Sequence, residues 1–214
     1  MNLPFTREQF LAAFADYNEA VWPMQIGLNA LAVAVIMLIV IRRGHSDRAV
    51  CAILGALWAW IGIVYHLLYF RGINPAATFF SIAFLAGSAA FVWAGVIRGQ
   101  LQFVCSETAH CAIGYALIVY AMLVYPMLSA LLGHEYPAIP TFGLPCPTTI
   151  FTIGVLAFVR PPYPRYVLVV PLAWAFIGSQ AAWLLGVYQD LGLMAAGFAG
   201  IFLVWRCPPR VRHA

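Results

Sequence analysis

The sequence predicts an all-α membrane protein with about seven transmembrane helices, and two observations carry this prediction. Of the 214 residues, 64% are hydrophobic and only 8% are charged, with a mean hydropathy of +0.90. Soluble domains carry about 25% charged residues. The chain also contains seven apolar segments, most of them close to the ~20 residues that cross a bilayer as a helix. We therefore expect one membrane domain and no separate soluble domain.

Residues 1–20 predict an amphipathic helix on the membrane surface. Thr6 and Gln9 have the spacing of a capping box. Three aromatic residues share one face of this helix: Phe10, Phe14 and Tyr17. The region also contains acidic residues and no small-residue cleavage site, so we expect no cleaved signal peptide.

The predicted transmembrane domain covers residues 21–205, and a short basic tail follows at 206–214. Its predicted spans are 21–41, 49–70, 75–97, 109–132, 142–159, 166–188 and 191–205. Proline lacks a backbone N–H donor and disfavours helix in the residue before it. We therefore expect the fifth span to be broken near its start by Pro145 and Pro147.

The arginines predict the orientation of the chain. Seven spans place the two termini on opposite sides, and nine of the eleven basic residues follow the odd-numbered spans: Arg42, Arg43, Arg48, Arg98, Arg160, Arg165, Arg206, Arg210 and Arg212. Basic residues concentrate in cytoplasmic loops. We therefore expect the N-terminus outside and the C-terminus in the cytoplasm. Cys105 and Cys111 then fall on the cytoplasmic side, where we expect reduced thiols.

The lipid bilayer is the main partner that the sequence predicts. Small residues recur at four-residue spacing in the third and seventh spans, which indicates close helix contacts within the bundle or, alternatively, in a homo-oligomer. Single, scattered basic residues predict no nucleic-acid surface. The chain has no nucleotide-binding motif, and His66 and His110 fall at opposite membrane faces. We therefore expect neither a nucleotide nor a haem cofactor.

Several chemically active side chains are predicted to lie near the outer face. His66 ends the second span, Asn74 follows it, and His134 and Tyr136 lie in the loop after the fourth span. Cys146 stands where the fifth span enters the membrane. Ionisable residues inside a membrane are costly and are often functional. Packing or an interfacial aromatic belt would explain the same residues without a site.

Cys146 is flanked by two prolines, and we expect it to lie in extended backbone with unpaired carbonyl groups around it. Thr148 follows as part of the helix start, whose dipole would favour a thiolate. Such a break provides ligands for a soft metal ion held by Cys146 and His66. It also provides a reactive nucleophile.

Three segments carry a resemblance to a known family: "YNEAVWPMQ" (17–25), "WAWIGIVYHLLYFRGINPAA" (58–77) and "GHEYPAIPTFGLPCPTTIFTIG" (133–154). They resemble a family of small bacterial membrane proteins that is classified only as a domain of unknown function. The resemblance implies a multi-pass protein of the bacterial inner membrane. It points to six residues: Trp22, His66, Asn74, Tyr136, Cys146 and Thr148.

Together these features predict a small transporter or channel, for a soft metal ion or a small neutral solute, with its site near the outer face. The predicted binding residues are His66, Asn74, His134, Tyr136, Cys146 and Thr148. One alternative is a membrane-embedded enzyme with Cys146 as nucleophile and His66 or His134 as base. Another is a non-catalytic membrane partner or sensor.

Overall fold

The computed structural model of the chain describes residues 4–105 and 107–207, and no β-strand occurs within them. Within these described residues there are eight helices: α1 (Arg7–Val21), α2 (Met24–Ile41), α3 (Ser46–Gly72), α4 (Ala77–Ile97), α5 (Thr108–Leu131), α6 (Pro145–Leu156), α7 (Arg165–Leu184) and α8 (Tyr188–Arg206). Six of these, α2–α5, α7 and α8, are long and apolar enough to cross a membrane. The prediction of an all-α membrane protein is therefore confirmed.

The fifth predicted span differs from the expectation. Helix α6 has 12 residues and measures about 18 Å at 1.5 Å per residue, whereas the hydrocarbon core of a bilayer is about 30 Å thick. Pro145 and Pro147 lie in its first turn, where proline is tolerated because those N–H groups have no helical acceptor. The prolines therefore mark the beginning of a short helix and do not break a long one. The expectation that Cys146 lies in extended backbone is wrong.

Helix α6 lies inside the bundle. Every residue of this helix except Cys146 is buried. Its close approach to α5 depends on two glycines, since a Cβ atom on Gly114 would lie 2.9 Å from the carbonyl oxygen of Gly154. The non-helical segment 137–144 precedes α6, and its Gly143 packs against Leu28 of α2. Irregular backbone at this depth is tolerated because it is buried in protein.

The loops between the helices gather at two ends of the bundle. We call one the arginine end, after its basic loops, and the other the cavity end, after the cavity described below. At the arginine end, the loops 42–45, 98–105 and 157–164 meet residue 207. The N–H of Phe103 donates to Asp47 (3.0 Å) and that of Arg160 donates to the carbonyl of Gln102 (2.8 Å). At the cavity end, α1 meets the loops 73–76, 132–144 and 185–187, as its contacts with Pro137 and Val187 show.

The predicted arginine-rich loops thus lie together at one end. Which end faces the cytoplasm stays a prediction, and Arg210 and Arg212 of the predicted tail lie outside the described residues. Cys105 and Cys111 form a disulfide at the arginine end, so the expectation of two reduced thiols there is wrong. The small residues of the third and seventh spans include Gly87 and Gly200, which contact Trp58 and Leu172 inside the bundle.

Three of the long helices contain a wider, π-helical segment: Ile61–Tyr69, Val92–Ile97 and Tyr120–Val124. The third has an evident cause, because Pro126 has no N–H to donate to the carbonyl group of residue 122. Such segments often occur at functional sites. The first contains Tyr65 and His66, and the third ends directly before Tyr125.

Candidate functional site

A partly enclosed cavity of about 150 Å³ lies at the cavity end, and its wall is almost entirely apolar. Helices α1, α3, α4, α5, α6 and α7 and the loops beside them contribute to this wall. Eight aromatic side chains line it: Phe5, Phe10, Phe14, Tyr65, Phe70, Phe80, Tyr125 and Trp174. The polar groups in the wall are few and include Asn74, Cys146 and Gln180. A concave apolar pocket with a few polar groups is the usual form of a small-molecule site.

Helix α1 covers one side of the cavity. Its N-terminus has the expected capping box, in which the backbone N–H of Gln9 donates to Thr6 and the Gln9 side chain accepts from the backbone of Thr6. Phe10 and Phe14 then face the end of α3, with the ring centroids of Phe10 and Phe70 6.0 Å apart. The amphipathic pattern therefore buries its aromatic face against protein.

Asn18 of α1 holds the segment 137–144 in place. Its amide nitrogen donates to the carbonyl oxygens of Pro137 (2.6 Å) and Ile139 (2.7 Å). Its oxygen accepts from Gln25 (2.6 Å) and from the hydroxyl of Thr141 (2.8 Å). This segment supplies Pro140 and Leu144 to the cavity wall, so Asn18 positions part of the site.

A buried carboxyl group lies behind the wall. Asp190, at the beginning of α8, is 1% exposed. The hydroxyl of Tyr125 donates a 2.6 Å hydrogen bond to its Oδ1 atom, and the thiol of Cys146 also faces the carboxyl group. Nε1 of Trp174 points toward the same thiol but does not reach hydrogen-bond geometry. Cys146 and Tyr125 thus connect the cavity to a buried acid.

His66 does not line the cavity and packs behind its aromatic wall. Its ring lies 4.8 Å from that of Phe84, 5.1 Å from that of Trp174 and 5.7 Å from that of Phe80, measured between centroids. Both ring nitrogens lack a hydrogen-bond partner among the described residues. The side chain is fully buried. His66 therefore reaches the cavity only through the rings that it supports.

The other predicted site residues separate into two groups. Cys146 and Asn74 line the cavity, as a site would require, and Thr148 lies next to it, accepting a hydrogen bond from the N–H of Gly143 (3.2 Å). Tyr136 is 55% exposed and donates to the carbonyl of Asn18 (3.4 Å), outside the cavity. His134 is buried and is likewise not part of the wall. Trp22, the sixth residue of the family resemblance, is 58% exposed.

Burial shifts the pKa of two groups outside the membrane-spanning helices. It raises the pKa of Tyr17 to about 12, and the Tyr17 hydroxyl donates to the carbonyl of Gly143 (3.4 Å) while it accepts from Nε1 of Trp60 (2.8 Å). Burial lowers the pKa of His134. His134 therefore adds no positive charge to the cavity end at pH 7.

The important residues that sequence reasoning missed are Asn18, Tyr125 and Trp174. Tyr125 and Trp174 lie inside predicted spans, where aromatic residues are common and carry no specific signal. A signal did exist for Tyr125, since it precedes a proline in the middle of an apolar span. Asn18 falls within the segment 17–25 of the family resemblance, but its four partners could not be identified without the fold.

No three His, Cys, Asp or Glu side chains in residues 4–105 and 107–207 lie close enough together to hold a metal ion. The soft-metal site at Cys146 and His66 stays a prediction.

The helices and the cavity define a multi-pass helical membrane protein with a partly enclosed site at one end of its bundle. Over residues 7–211 the chain matches a family of unknown function, DUF6064, and it belongs to this family. The resemblance to an uncharacterised family is therefore confirmed. No curated protein and no solved structure matches the chain.

Proposed function

We propose that this protein is a small-solute transporter of the bacterial inner membrane and that the solute binds in the cavity at the cavity end. The observation that carries the proposal is the cavity itself, an apolar space of about 150 Å³ with Cys146 and Asn74 in its wall. Binding sites of many transporters lie where a membrane helix is interrupted and irregular backbone lines a cavity. Here the short helix α6 and the segment 137–144 supply this arrangement.

In this proposal the site residues have different roles. Cys146 and Asn74 contact the solute. His66 positions the ring of Trp174, Thr148 positions the backbone at Gly143, and Tyr136 helps to hold Asn18. His134 supports the loop at the mouth of the cavity.

Two-sided accessibility of Cys146 tests transport without knowledge of the solute. A membrane-impermeant methanethiosulfonate reagent is applied to right-side-out and inside-out vesicles, and labelling is compared with that of Cys146→Ser. The other cysteines described outside the disulfide, Cys51 and Cys207, are buried, so the difference reports on Cys146. A transporter exposes its site alternately to both sides, and we expect labelling in both kinds of vesicle. Labelling from one side only would contradict transport and would favour a receptor or an enzyme.

Metal analysis tests the soft-metal alternative for the cargo. A site with Cys146 and His66 as its protein ligands offers fewer than the four ligands that structural zinc sites use, so we expect tag-free protein to retain no stoichiometric metal. Elemental analysis of the wild type beside Cys146→Ser is the measurement. Stoichiometric copper or zinc that disappears in the variant would contradict this expectation and would favour a soft metal ion as the cargo.

A membrane-embedded enzyme is the second candidate, and the position of Asp190 beside Cys146 favours it. A carboxylate next to a thiol is able to accept its proton, so Asp190 would replace His66 or His134 in the predicted role of base. A catalytic Cys146 is expected to react selectively with thiol probes near neutral pH, and a sluggish thiol would contradict this candidate.

A further inference from the structure

We propose that the ligand of the cavity is a small organic cation of the quaternary-ammonium type, held by the aromatic wall and by the charge of Asp190. This inference rests on the proposed function, because it names the cargo class of the same site. Three independent features of the site carry it: the composition of the wall, the missing counter-charge and the size of the space.

Aromatic rings make up much of the wall of the cavity. Phe10, Tyr65 and Phe70 stand on one side, with the rings of Tyr65 and Phe70 stacked 5.5 Å apart. Phe80 and Trp174 meet edge to face at 5.2 Å on another side. The face of an aromatic ring is negative, and cages of such rings are the usual receptors for alkylated ammonium groups.

The carboxyl group behind this wall has no counter-charge in the protein. Asp190 forms no ion pair with any described residue, and none of the residues in the cavity wall is charged. Two neutral groups face Asp190: the hydroxyl of Tyr125, which donates to it, and the thiol of Cys146. The hydroxyl of Tyr120 donates to the carbonyl of the neighbouring Gln189. Arg7 lies beside Gly186, which belongs to the turn before α8, and Arg7 makes no ion pair with Asp190.

A buried carboxyl group whose partners are all neutral is costly to ionise, because burial removes its water and no cation replaces it. A cation in the cavity would stand one side chain away from Asp190, separated from it by Tyr125 and Cys146. Across the width of one side chain, two opposite unit charges inside a protein still attract each other strongly. The cation would supply the missing charge.

The size of the space selects among cations. An apolar cavity of about 150 Å³ holds one benzene molecule, and a tetramethylammonium group has no more heavy atoms than benzene. Hydrated metal ions match neither the volume nor the apolar wall. A guanidinium or primary ammonium group would need several hydrogen-bond acceptors, and the side chains of this wall offer few, at Asn74 and Gln180. An alkylated ammonium group needs none.

Equilibrium binding of radiolabelled choline to full-length protein in a maltoside detergent tests the inference. We expect saturable binding that the neutral isostere 3,3-dimethylbutan-1-ol displaces about tenfold less well or worse. Asp190→Asn is expected to weaken binding about tenfold or more, whereas Asp16→Asn, the same change at an exposed site of α1, is expected to have no effect. Phe70→Leu is expected to weaken binding about fivefold, and Phe79→Leu, at a position 74% exposed, is the matched control.

The outcomes separate the hypotheses. Absence of saturable choline binding in the wild type, or equal displacement by the neutral isostere, would overturn the inference even if a variant failed to fold. Two-sided labelling of Cys146 without choline binding would leave transport standing with a different cargo. Choline binding with one-sided labelling would leave the ligand standing and refute transport.

A quaternary ammonium group also occurs in lipid headgroups, and the bilayer composition distinguishes the two sources. Choline binding is compared in nanodiscs of phosphatidylcholine and of phosphatidylglycerol. Suppression in phosphatidylcholine would support the ligand chemistry and identify a headgroup as its source. Equal binding in both would support a free cation.

Discussion

Replacement of Trp58 by alanine is expected to lower the free energy of unfolding by about 3–5 kcal/mol, the range for a large aromatic residue removed from a packed interior. Trp58 is fully buried. Its ring stacks on Phe84 at a centroid distance of 4.6 Å, and its Nε1 donates to the hydroxyl of Thr152 in α6 at 3.0 Å. Alanine leaves a cavity between α3 and α4 and removes this hydrogen bond.

The measurement is the thermal unfolding midpoint in detergent, which we expect to fall by about 10 °C for a chain of this length. Trp205→Ala is the matched control, because Trp205 is 77% exposed and faces the surroundings of the bundle. Equal shifts in the two variants would contradict the packing described for α3, α4 and α6. Choline binding by the folded fraction tests the site separately, since Trp58 is not part of the cavity wall.

Replacement of Asn18 by leucine is expected to have the second large effect, a loss of about 3 kcal/mol in the free energy of unfolding. Leucine has a similar size but offers no polar atoms. The carbonyl groups of Pro137 and Ile139 and the side chains of Gln25 and Thr141 each lose a partner. Each buried group left without a partner costs about 1–3 kcal/mol, and access of water to the loop reduces the sum.

The effect of Asn18→Leu should be local. The segment 137–144 carries Phe142, followed by Gly143, so limited digestion with chymotrypsin after this aromatic residue reports how well the segment is held. We expect faster cleavage there and weaker choline binding, because Pro140 and Leu144 leave their places in the wall. Asn29→Leu is the control, since the Asn29 side chain donates only to a carbonyl of its own helix, that of Gln25 (2.8 Å). Unchanged cleavage in Asn18→Leu would show that other contacts hold the segment.

The sequence predicted the helices because their signal is local. An apolar run of ~20 residues must satisfy its backbone hydrogen bonds internally inside a membrane, and a helix does this without any partner. The same locality explains the capping box at Thr6 and Gln9. The fifth predicted span shows the limit of predicting helices from local hydrophobicity. Its residues 142–144 are apolar enough to be counted into a span, yet they lie in a non-helical segment that ends at Leu144.

The site was only partly predictable. Cys146 and Asn74 were found because unusual residues at a predicted membrane surface carry a signal in the sequence. His66 was found for the same reason, but only the structure places it behind the aromatic wall and not in it. Asp190 and Tyr125 are 65 positions apart, and no local pattern indicates that the hydroxyl of one donates to the carboxyl group of the other.

By itself, the sequence thus determined the class of the protein, the helical segments and the arginine-rich loops, since each of these follows from composition and from short-range spacing. The tertiary structure decided which aromatic faces enclose a cavity, that α6 is a short buried helix, and that an acid without a counter-charge stands behind Cys146. These features depend on how α1, α6, α7 and α8 pack against one another. Many packings satisfy the same hydrophobic pattern, and the contacts that select one of them join residues far apart in the chain.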